Sequence, residues 1–542
     1  MRLRVLRSGL VPRSLLSRSL LVAALAVNAP AVRAQAFADA AAALVDYSRA
    51  EVTPGRACAA MSGYQAKDIV ALHSEEIPAR DSVPEHCRIT GTLAPEIAFE
   101  VSLPARWNGR FYMIGNGGLA GESLEDPFRT SQRDRALQLG FAFAQTNTGH
   151  DARKEPGGTF VLINPQKAMD YAYWAVHVTA TTAKALTAEY YAKPIARSYW
   201  NSCSNGGRQG LIEAQRYPQD FDGLVVNAPW VDQTGYTMGS LWNQRAVSEA
   251  HLTPAKLELL ARHVMAKCDA IDGLKDGSID DPRKCAFDAR RDAPVCTAGT
   301  DTDACLTPAQ ADAVMKVYSG PQSHGRTLFP GYMPGSEAVV RAAVGNAPPA
   351  SAWMNFIVPA QPGRAPADFN LAENTMRYLV FTPPQPTYDY HTFDFDRDPH
   401  LLDRWGKEVN ATDTDLTKFR AHGGKLLMTY GWADQVLEPL MGVRYYEHAV
   451  ARNGPRTRDF FRLFMVPGMN HCSGGTGTDQ FDSMTAMIDW VEKGKAPDVL
   501  QAARVLDKKV VRTRPLCPYP QVARYRGQGS IDAAENFRCV AP

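Results

Sequence analysis

The sequence predicts an α/β fold: a mostly parallel sheet covered on both faces by helices and interrupted by one large insertion. Three observations predict it. Short apolar runs bounded by turn residues alternate with helix-forming stretches from residue 99 to residue 230. That rhythm stops after Trp230 and resumes at Lys425. A serine held between small residues, Ser204, stands where a strand-like run ending at Cys203 gives way to a helix-forming run.

Taken in order, residues 35–90 read as an N-terminal extension pinned by its own cysteine pair. Residues 99–103 and 110–114 read as strands, and the second runs into Gly115-Asn116-Gly117-Gly118. Residues 141–146 form another apolar strand. Residues 165–193, rich in Ala and aromatic side chains, read as a long helix. The Ser204 turn follows, then residues 223–229 as a short buried strand. Residues 231–420 hold helical stretches, two cysteine pairs and many Pro and aromatic residues, with few strand signals. The strand pattern returns at 425–431 and 460–468, and a helix at 483–493 closes the sheet. The expected organisation is therefore a catalytic domain in two parts, 35–230 and 421–542, with an inserted domain at 231–420. An insertion at that point sits over the Ser204 edge of the sheet and is placed to act as a lid and specificity domain.

At 542 residues the chain can bury a large core, and 45% apolar with 21% charged residues is an ordinary globular composition. The first 34 residues read as a secretory signal peptide. Five arginines up to Arg18 make a basic start, residues 20–27 an apolar core, and Val32-Arg33-Ala34 offers small residues before a cut. That apolar run is too short to span a membrane. Removing six arginines and no acid from 59 basic and 57 acidic residues turns the formal +2 into −4. With no basic stripe, no phosphate-binding GxxxxGK[ST] motif and no repeat, the sequence gives no reason to expect a nucleic-acid partner. The expected location is secreted or periplasmic; the oligomeric state is left open.

Ten cysteines in an exported chain suggest five disulfides. Spacing proposes Cys58 with Cys87, Cys268 with Cys285, Cys296 with Cys305, and Cys517 with Cys539. Cys203 and Cys472 remain, one directly before Ser204 and the other directly after His471.

Ser202-Cys203-Ser204-Asn205-Gly206 resembles the nucleophile elbow of the α/β-hydrolases, with Ser202 in place of the usual first Gly. That fold carries its triad in the order Ser, acid, His, each on a loop after a strand. Asp434 follows the strand at 425–431 and His471 follows the strand at 460–468. Ser204 is thus the expected nucleophile, His471 its base, and Asp434 the group that fixes the imidazole tautomer. Asp479 and Asp482 are the next candidates for the acid. An oxyanion hole needs backbone N–H donors; Asn205 supplies one by position, and Gly118 is the choice for the other. A rival arrangement makes Cys203 the nucleophile with His471 as base. An even cysteine count in an exported chain argues against that free thiol.

Cys203-Ser204-Asn205-Gly206-Gly207-Arg208-Gln209-Gly210, Asp434 and His471-Cys472 together resemble the Cys-Ser/Asp/His-Cys pattern of the tannase and feruloyl esterase family. The likeness extends over most of the chain after residue 34. It includes Thr148-Gly149-His150, Arg377 to Phe381, Phe393-Asp394-Phe395-Asp396 and the five-disulfide layout. It implies an α/β-hydrolase fold with a large inserted lid domain. It also implies hydrolysis of aromatic-acid esters: galloyl, feruloyl and other hydroxycinnamoyl esters, and in one branch mono-(2-hydroxyethyl) terephthalate. Two positions depart from the family pattern: Asn147, where Asp is common, and Asn205, where Thr or Glu is usual. Both bear on the substrate rather than on the reaction.

Residues 268–281 crowd carboxylates into a glycine-containing loop, where they repel one another unless a hard cation sits among them. The spacing is not that of an EF-hand. The resemblance implies a structural Ca²⁺ held by the carboxylates of Asp269, Asp272 and Asp276 and the carbonyls of Leu274 and Ser278. Trp353, Phe356, Tyr378, Phe381, Tyr388 and Tyr390 are candidates to stack on an aromatic acyl group, although more of them belong to a core than to a pocket. Arg377 could meet a substrate carboxylate or an acid of the insertion. The expected function is a serine carboxylesterase for small aromatic esters, feruloyl-type first. The contrasting possibility is a binding protein of this fold without turnover.

Overall fold

A nine-stranded sheet carries the molecule, whose computed structural model describes residues 42–338, 351–359 and 364–542. The signal segment read over residues 1–34 lies outside the described residues. All described residues fall in one unit, Val32–Pro542. The strands are β1 (Ile69–Ile77), β2 (His86–Leu93), β3 (Ile97–Pro104), β4 (Arg110–Met113), β5 (Ala142–Thr146), β6 (Arg197–Cys203), β7 (Gly223–Asn227), β8 (Lys425–Gly431) and β9 (Phe461–Val466). Their order is β1-β2-β3-β5-β4-β6-β7-β8-β9. From β5 to β9 every neighbouring pair is parallel, while β1, β2 and β3 add an antiparallel edge.

The parallel strands are apolar runs because both faces are covered. In β7, Leu224 and Val226 enter one core while Val225 enters the other, as the two-residue strand period requires. The first core also takes Trp200, Met428 and Leu211. The second packs Tyr199, Leu427 and Phe464 against Met484, Met487 and Trp490 of a helix near the C-terminus. Five longer helices belong to the two parts of the chain that form the sheet: α1 (Pro127–Gln138), α2 (Ala175–Tyr191), α3 (Asn205–Arg216), α4 (Pro439–Asn453) and α5 (Ser483–Lys493).

β7 and β8 pair in register from Gly223 with Lys425 to Asn227 with Thr429, so the whole stretch from Ala228 to Gly424 leaves the sheet between two adjacent strands. That stretch has a core of its own, with Leu257, Leu260, Val264, Val314 and Trp353 fully buried. Its described strand content is one two-residue pair, Gln322–Ser323 with Arg326–Thr327.

Three features differ from the sequence reading. Within residues 35–90, β1 and β2 are strands of the main sheet. β1 alternates between half-buried and exposed at the sheet edge, and β2 between buried and half-buried with Arg88, Thr90, Gly91 and Thr92 along it, so neither presents the long apolar run that marks a central strand. The helix expected over 165–193 carries a π-bulge at Asp170–Trp174 ahead of α2. The C-terminal tail adds an antiparallel hairpin, β10 (Leu500–Leu506) with β11 (Lys509–Leu516).

The ten cysteines form five disulfides: Cys58–Cys87, Cys203–Cys472, Cys268–Cys285, Cys296–Cys305 and Cys517–Cys539.

Candidate active site

β6 ends at Cys203, α3 begins at Asn205, and Ser204 occupies the turn between them with φ 62° and ψ −127°. An L-residue other than Gly rarely adopts a positive φ. Three backbone hydrogen bonds hold Ser204 there: its N–H donates to Asn227 at 3.0 Å, and its carbonyl accepts from Arg208 and Trp230 N–H, both at 3.0 Å. The following helix can start this close to the end of β7 only because residue 207 is Gly. A Cβ there would stand 2.8 Å from Pro229 Cα and 2.9 Å from the Asn227 oxygen. The turn thus places the Ser204 side chain at the carboxyl end of the central strands and at the positive end of a helix dipole.

The loop after β8 carries Asp434 and the loop after β9 carries His471. They are zipped together: Trp432 N–H donates to Val466, Ala433 N–H to Met469, and Asn470 Nδ2 to the Ala433 carbonyl. Asp434 is fully buried. One oxygen accepts from the N–H groups of Val436 and Leu437 at 2.8 and 2.9 Å; the other faces His471 Nδ1 at 2.9 Å. The His471 side chain is 14% exposed. Its own N–H donates to the Gln435 side chain at 3.1 Å. The two other candidate acids are committed elsewhere. Asp479 accepts from Gly474 N–H inside the His471 loop, and Asp482 caps α5 through Thr485 N–H.

The Cys203–Cys472 disulfide joins the residue before Ser204 to the residue after His471, with Cα atoms 6.0 Å apart. A ring nitrogen of His471 lies within 4.8 Å of both sulfurs. No free cysteine remains among the described residues, so Cys203 offers no thiolate to act as nucleophile.

Gly118 lies on the loop after β4 with φ 43°, and Asn205 is the first residue of α3. One phenol ties the two together. Tyr171 Oη lies 3.1 Å from the Gly118 carbonyl and 3.4 Å from Asn205 Oδ1, and it accepts from Gln233 Nε2 at 3.0 Å. Arg208, fully buried, donates to Asn205 Oδ1 at 2.7 Å and stacks its guanidinium over the Tyr171 ring. Sequence reading missed Tyr171 and Gln233. Neither stands near a motif, and Tyr171 reaches the loop from the π-bulge ahead of α2. Arg208 was visible only as part of the Ser204 motif.

The insertion reaches this edge from above. Leu371 Cδ2 lies 3.7 Å from where a Cβ on Gly118 would stand, and Tyr332 Oη donates to the Val436 carbonyl at 3.0 Å. Of the aromatic candidates, Trp353 is buried in the insertion's own core. Phe356, Tyr378, Phe381, Tyr388 and Tyr390 are half-buried against the main core. Arg377 is paired with Glu373 at 2.9 Å, one helical turn away. Asn147 holds the Thr148-Gly149-His150 turn through hydrogen bonds to Gly149 N–H and the His150 carbonyl.

In the acidic loop, Asp269 accepts from Asp276 and Gly277 N–H, Asp272 from Leu274 N–H, and Asp276 from Ser278 N–H. Asp276 also pairs with Arg514 at 2.5 Å, with Arg512 at 3.8 Å. Burial, then Asp276 and Asp269, push Asp272 above the ordinary carboxylate range. Burial, then Asp272 and Asp281, push Asp280 up to about 7. Acid is therefore in excess over the two arginines, and the donor chemistry fits a hard cation. Among the described residues the three carboxylates do not come within mutual ligating distance.

Comparison with known proteins gives a consistent picture. Residues 82–540 match the sequence model of the family described as tannase and feruloyl esterase. The chain is 34% identical over 537 residues to the mono(2-hydroxyethyl) terephthalate hydrolase of Piscinibacter sakaiensis, covering 87% of this chain and 88% of that one. It is 30% identical over 490 residues to a probable feruloyl esterase B-2 of Aspergillus terreus, covering 84% and 86%. The crystal structure of feruloyl esterase B from Aspergillus oryzae superposes with a TM-score of 0.75 at 27% identity, covering 89% of this chain and all of that one.

Proposed function

Because the chain belongs to the tannase and feruloyl esterase family, we propose that it is a serine carboxylesterase of aromatic-acid esters, with feruloyl and other hydroxycinnamoyl esters as the preferred substrates. The observation that carries the mechanism is the Asp434–His471 contact at 2.9 Å, locked by a disulfide to the residue before Ser204. In this reading Ser204 Oγ attacks the ester carbonyl carbon while His471 takes its proton. His471 then returns the proton to the leaving alcohol, and water completes the cycle by the same route. Asp434, held in place by two backbone N–H donors, keeps Nδ1 protonated and stabilises the imidazolium. The N–H groups of Gly118 and Asn205 receive the oxyanion. The insertion serves as the lid over the acyl group, a role supported by the Leu371 and Tyr332 contacts. A structural Ca²⁺ in the acidic loop would be held by Asp269, Asp272 and Asp276 with the carbonyls of Leu274 and Ser278; belonging to the insertion rather than to the triad, it would take no part in the proton transfers.

Five disulfides suit an oxidising compartment, in keeping with a secreted or periplasmic enzyme. No helix among the described residues is long and apolar enough to cross a membrane. The 34% identity to the terephthalate hydrolase favours mono-(2-hydroxyethyl) terephthalate as a second candidate substrate. Purified protein is to be assayed with methyl ferulate, methyl gallate and mono-(2-hydroxyethyl) terephthalate. The highest kcat/KM is expected for the ferulate ester. Turnover of none of the three, together with no labelling of Ser204 by a fluorophosphonate, would favour the binding-protein alternative.

A further inference from the structure

Away from the triad, three ligating side chains converge without a role in ester hydrolysis. His177 lies on α2, Glu213 near the end of α3, and Asp220 on the loop that follows α3. One ligand atom from each lies within 4.8 Å of the other two. Glu213 is eight residues from the start of α3, about 12 Å along the helix axis from the Ser204 turn.

Glu213 is 1% exposed, and neither of its oxygens receives a hydrogen bond. Its facing neighbour is Asp220, itself 8% exposed. Burial, followed by the Asp220 charge, pushes Glu213 well above the ordinary carboxylate range, and no donor group of the protein has been provided for it. His177 Nδ1 faces Asp220 Oδ2 at 2.7 Å, and its ring stacks on Tyr217 with centroids 3.7 Å apart, which fixes its orientation. The His177 side chain is 23% exposed and gives the cluster its way to solvent. Lys184 donates to the Asp220 carbonyl at 2.7 Å and stands 3.8 Å from Oδ1.

We propose that His177, Glu213 and Asp220 form a binding site for a divalent first-row metal ion, zinc foremost. Imidazole nitrogen and carboxylate oxygen are ligand types such ions take, and a three-ligand site leaves a fourth position for water on the open side. Two ionised carboxylates balance the charge of the ion. On binding, the ion takes the place of the His177–Asp220 hydrogen bond, and any proton it displaces from its ligands leaves to solvent. Lys184, bonded to the Asp220 backbone, orients that loop while its charge weakens the affinity. The other His–Cys cluster, Cys203, His471 and Cys472, is not a competitor, because its sulfurs are bonded to each other.

The test is titration of the full mature protein with zinc chloride by calorimetry, in calcium-containing buffers of different ionisation enthalpy. Calcium keeps the oxygen-only acidic loop from reporting. One zinc per chain is expected, with the buffer dependence reporting any proton released. Glu213→Gln and His177→Ala should each weaken binding by at least about 10-fold, and cobalt(II) should give a visible absorption band that His177→Ala removes. Circular dichroism checks the fold of each variant. If Glu213→Gln does not fold, His177→Ala, at a partly exposed ring, carries the test alone. Absence of binding at millimolar zinc, or unchanged affinity in folded His177→Ala, overturns the proposal.

Discussion

Tyr171 Oη stands 3.1 Å from the carbonyl of Gly118 and 3.4 Å from the side chain of Asn205, the two residues whose N–H groups form the proposed oxyanion hole. The phenol touches no reacting atom, so it acts by holding two separate elements in register: the loop after β4 and the start of α3. Tyr171→Phe keeps the ring and its contact with Arg208 but loses the hydroxyl. It should lower kcat by about 10-fold with little change in KM, since misplaced donors cost transition-state binding more than substrate binding. Steady-state kinetics on methyl ferulate check this; an effect on KM alone would assign Tyr171 to substrate binding instead.

Ser204→Ala should abolish turnover and leave the melting temperature near that of the parent. Asp434→Asn should lower kcat by up to about 10⁴-fold, because the amide favours the wrong His471 tautomer. Asp479→Asn should act mainly on stability, since Asp479 accepts a backbone hydrogen bond within the base loop. Kinetics and thermal melts on the three variants separate these roles. An Asp434→Asn enzyme with near-normal activity would move the acid elsewhere.

The Cys203–Cys472 disulfide is expected to position the triad more than it stabilises the fold. Replacing both cysteines by Ala should lower kcat by on the order of 100-fold, the cost of about 1 Å of misplacement. The other four disulfides remain in place. Unchanged turnover with a lower melting temperature would identify a purely structural staple.

His150 gives the protein a built-in acid sensitivity. It is 2% exposed, stacks on Phe160 with centroids 4.1 Å apart, and has no hydrogen-bond partner at either ring nitrogen. Burial, then the charge of Lys167, lowers it to about 4. A histidine held neutral contributes stability that is fully present above its ordinary pKa near 6.5. That stability is lost as pH falls towards 4, because the unfolded chain takes up the proton first. The loss amounts to on the order of 3 kcal/mol at pH 4. Thermal melts from pH 7 to pH 4 should show this decline, and His150→Leu should flatten it. An unchanged slope would place the sensitivity in other groups.

Calcium should raise the melting temperature of chelator-treated protein. The acidic loop carries more acid than Arg512 and Arg514 neutralise, and burial with like charge holds Asp280 at about 7. Asp269→Asn and Asp272→Asn should each remove most of the calcium response while leaving kcat nearly unchanged at low temperature. A melting temperature indifferent to both chelator and calcium would leave the arginine pairing as the loop's own closure.

The central strands were legible in the sequence because burial on both faces writes them as uninterrupted apolar runs. β8 occupies the expected residues 425–431, and β9 lies inside the expected 460–468. β1 and β2 were not legible: the half-exposed edge strand Ile69–Ile77 has the composition of a loop, and in His86–Leu93 Arg88, Thr90, Gly91 and Thr92 interrupt the apolar run. The aromatic residues of the insertion could not be sorted in advance: Trp353 and Tyr378 look alike in sequence, yet one lies in a core and the other is half-buried beside Gly158.

The sequence by itself determined the order Ser204, Asp434, His471, the strand before each of them, and the cysteines flanking nucleophile and base. Those are properties of local pattern and spacing, which a chain carries whether folded or not. Only the tertiary structure decided that Asp434 rather than Asp479 faces His471, and that Tyr171 ties Gly118 to Asn205. It alone brought His177, Glu213 and Asp220 together. Each of those depends on side chains from separate elements meeting within hydrogen-bond or ligating distance. Such meetings are set by how the sheet, the helices and the insertion pack, for which no single stretch of sequence holds a signal.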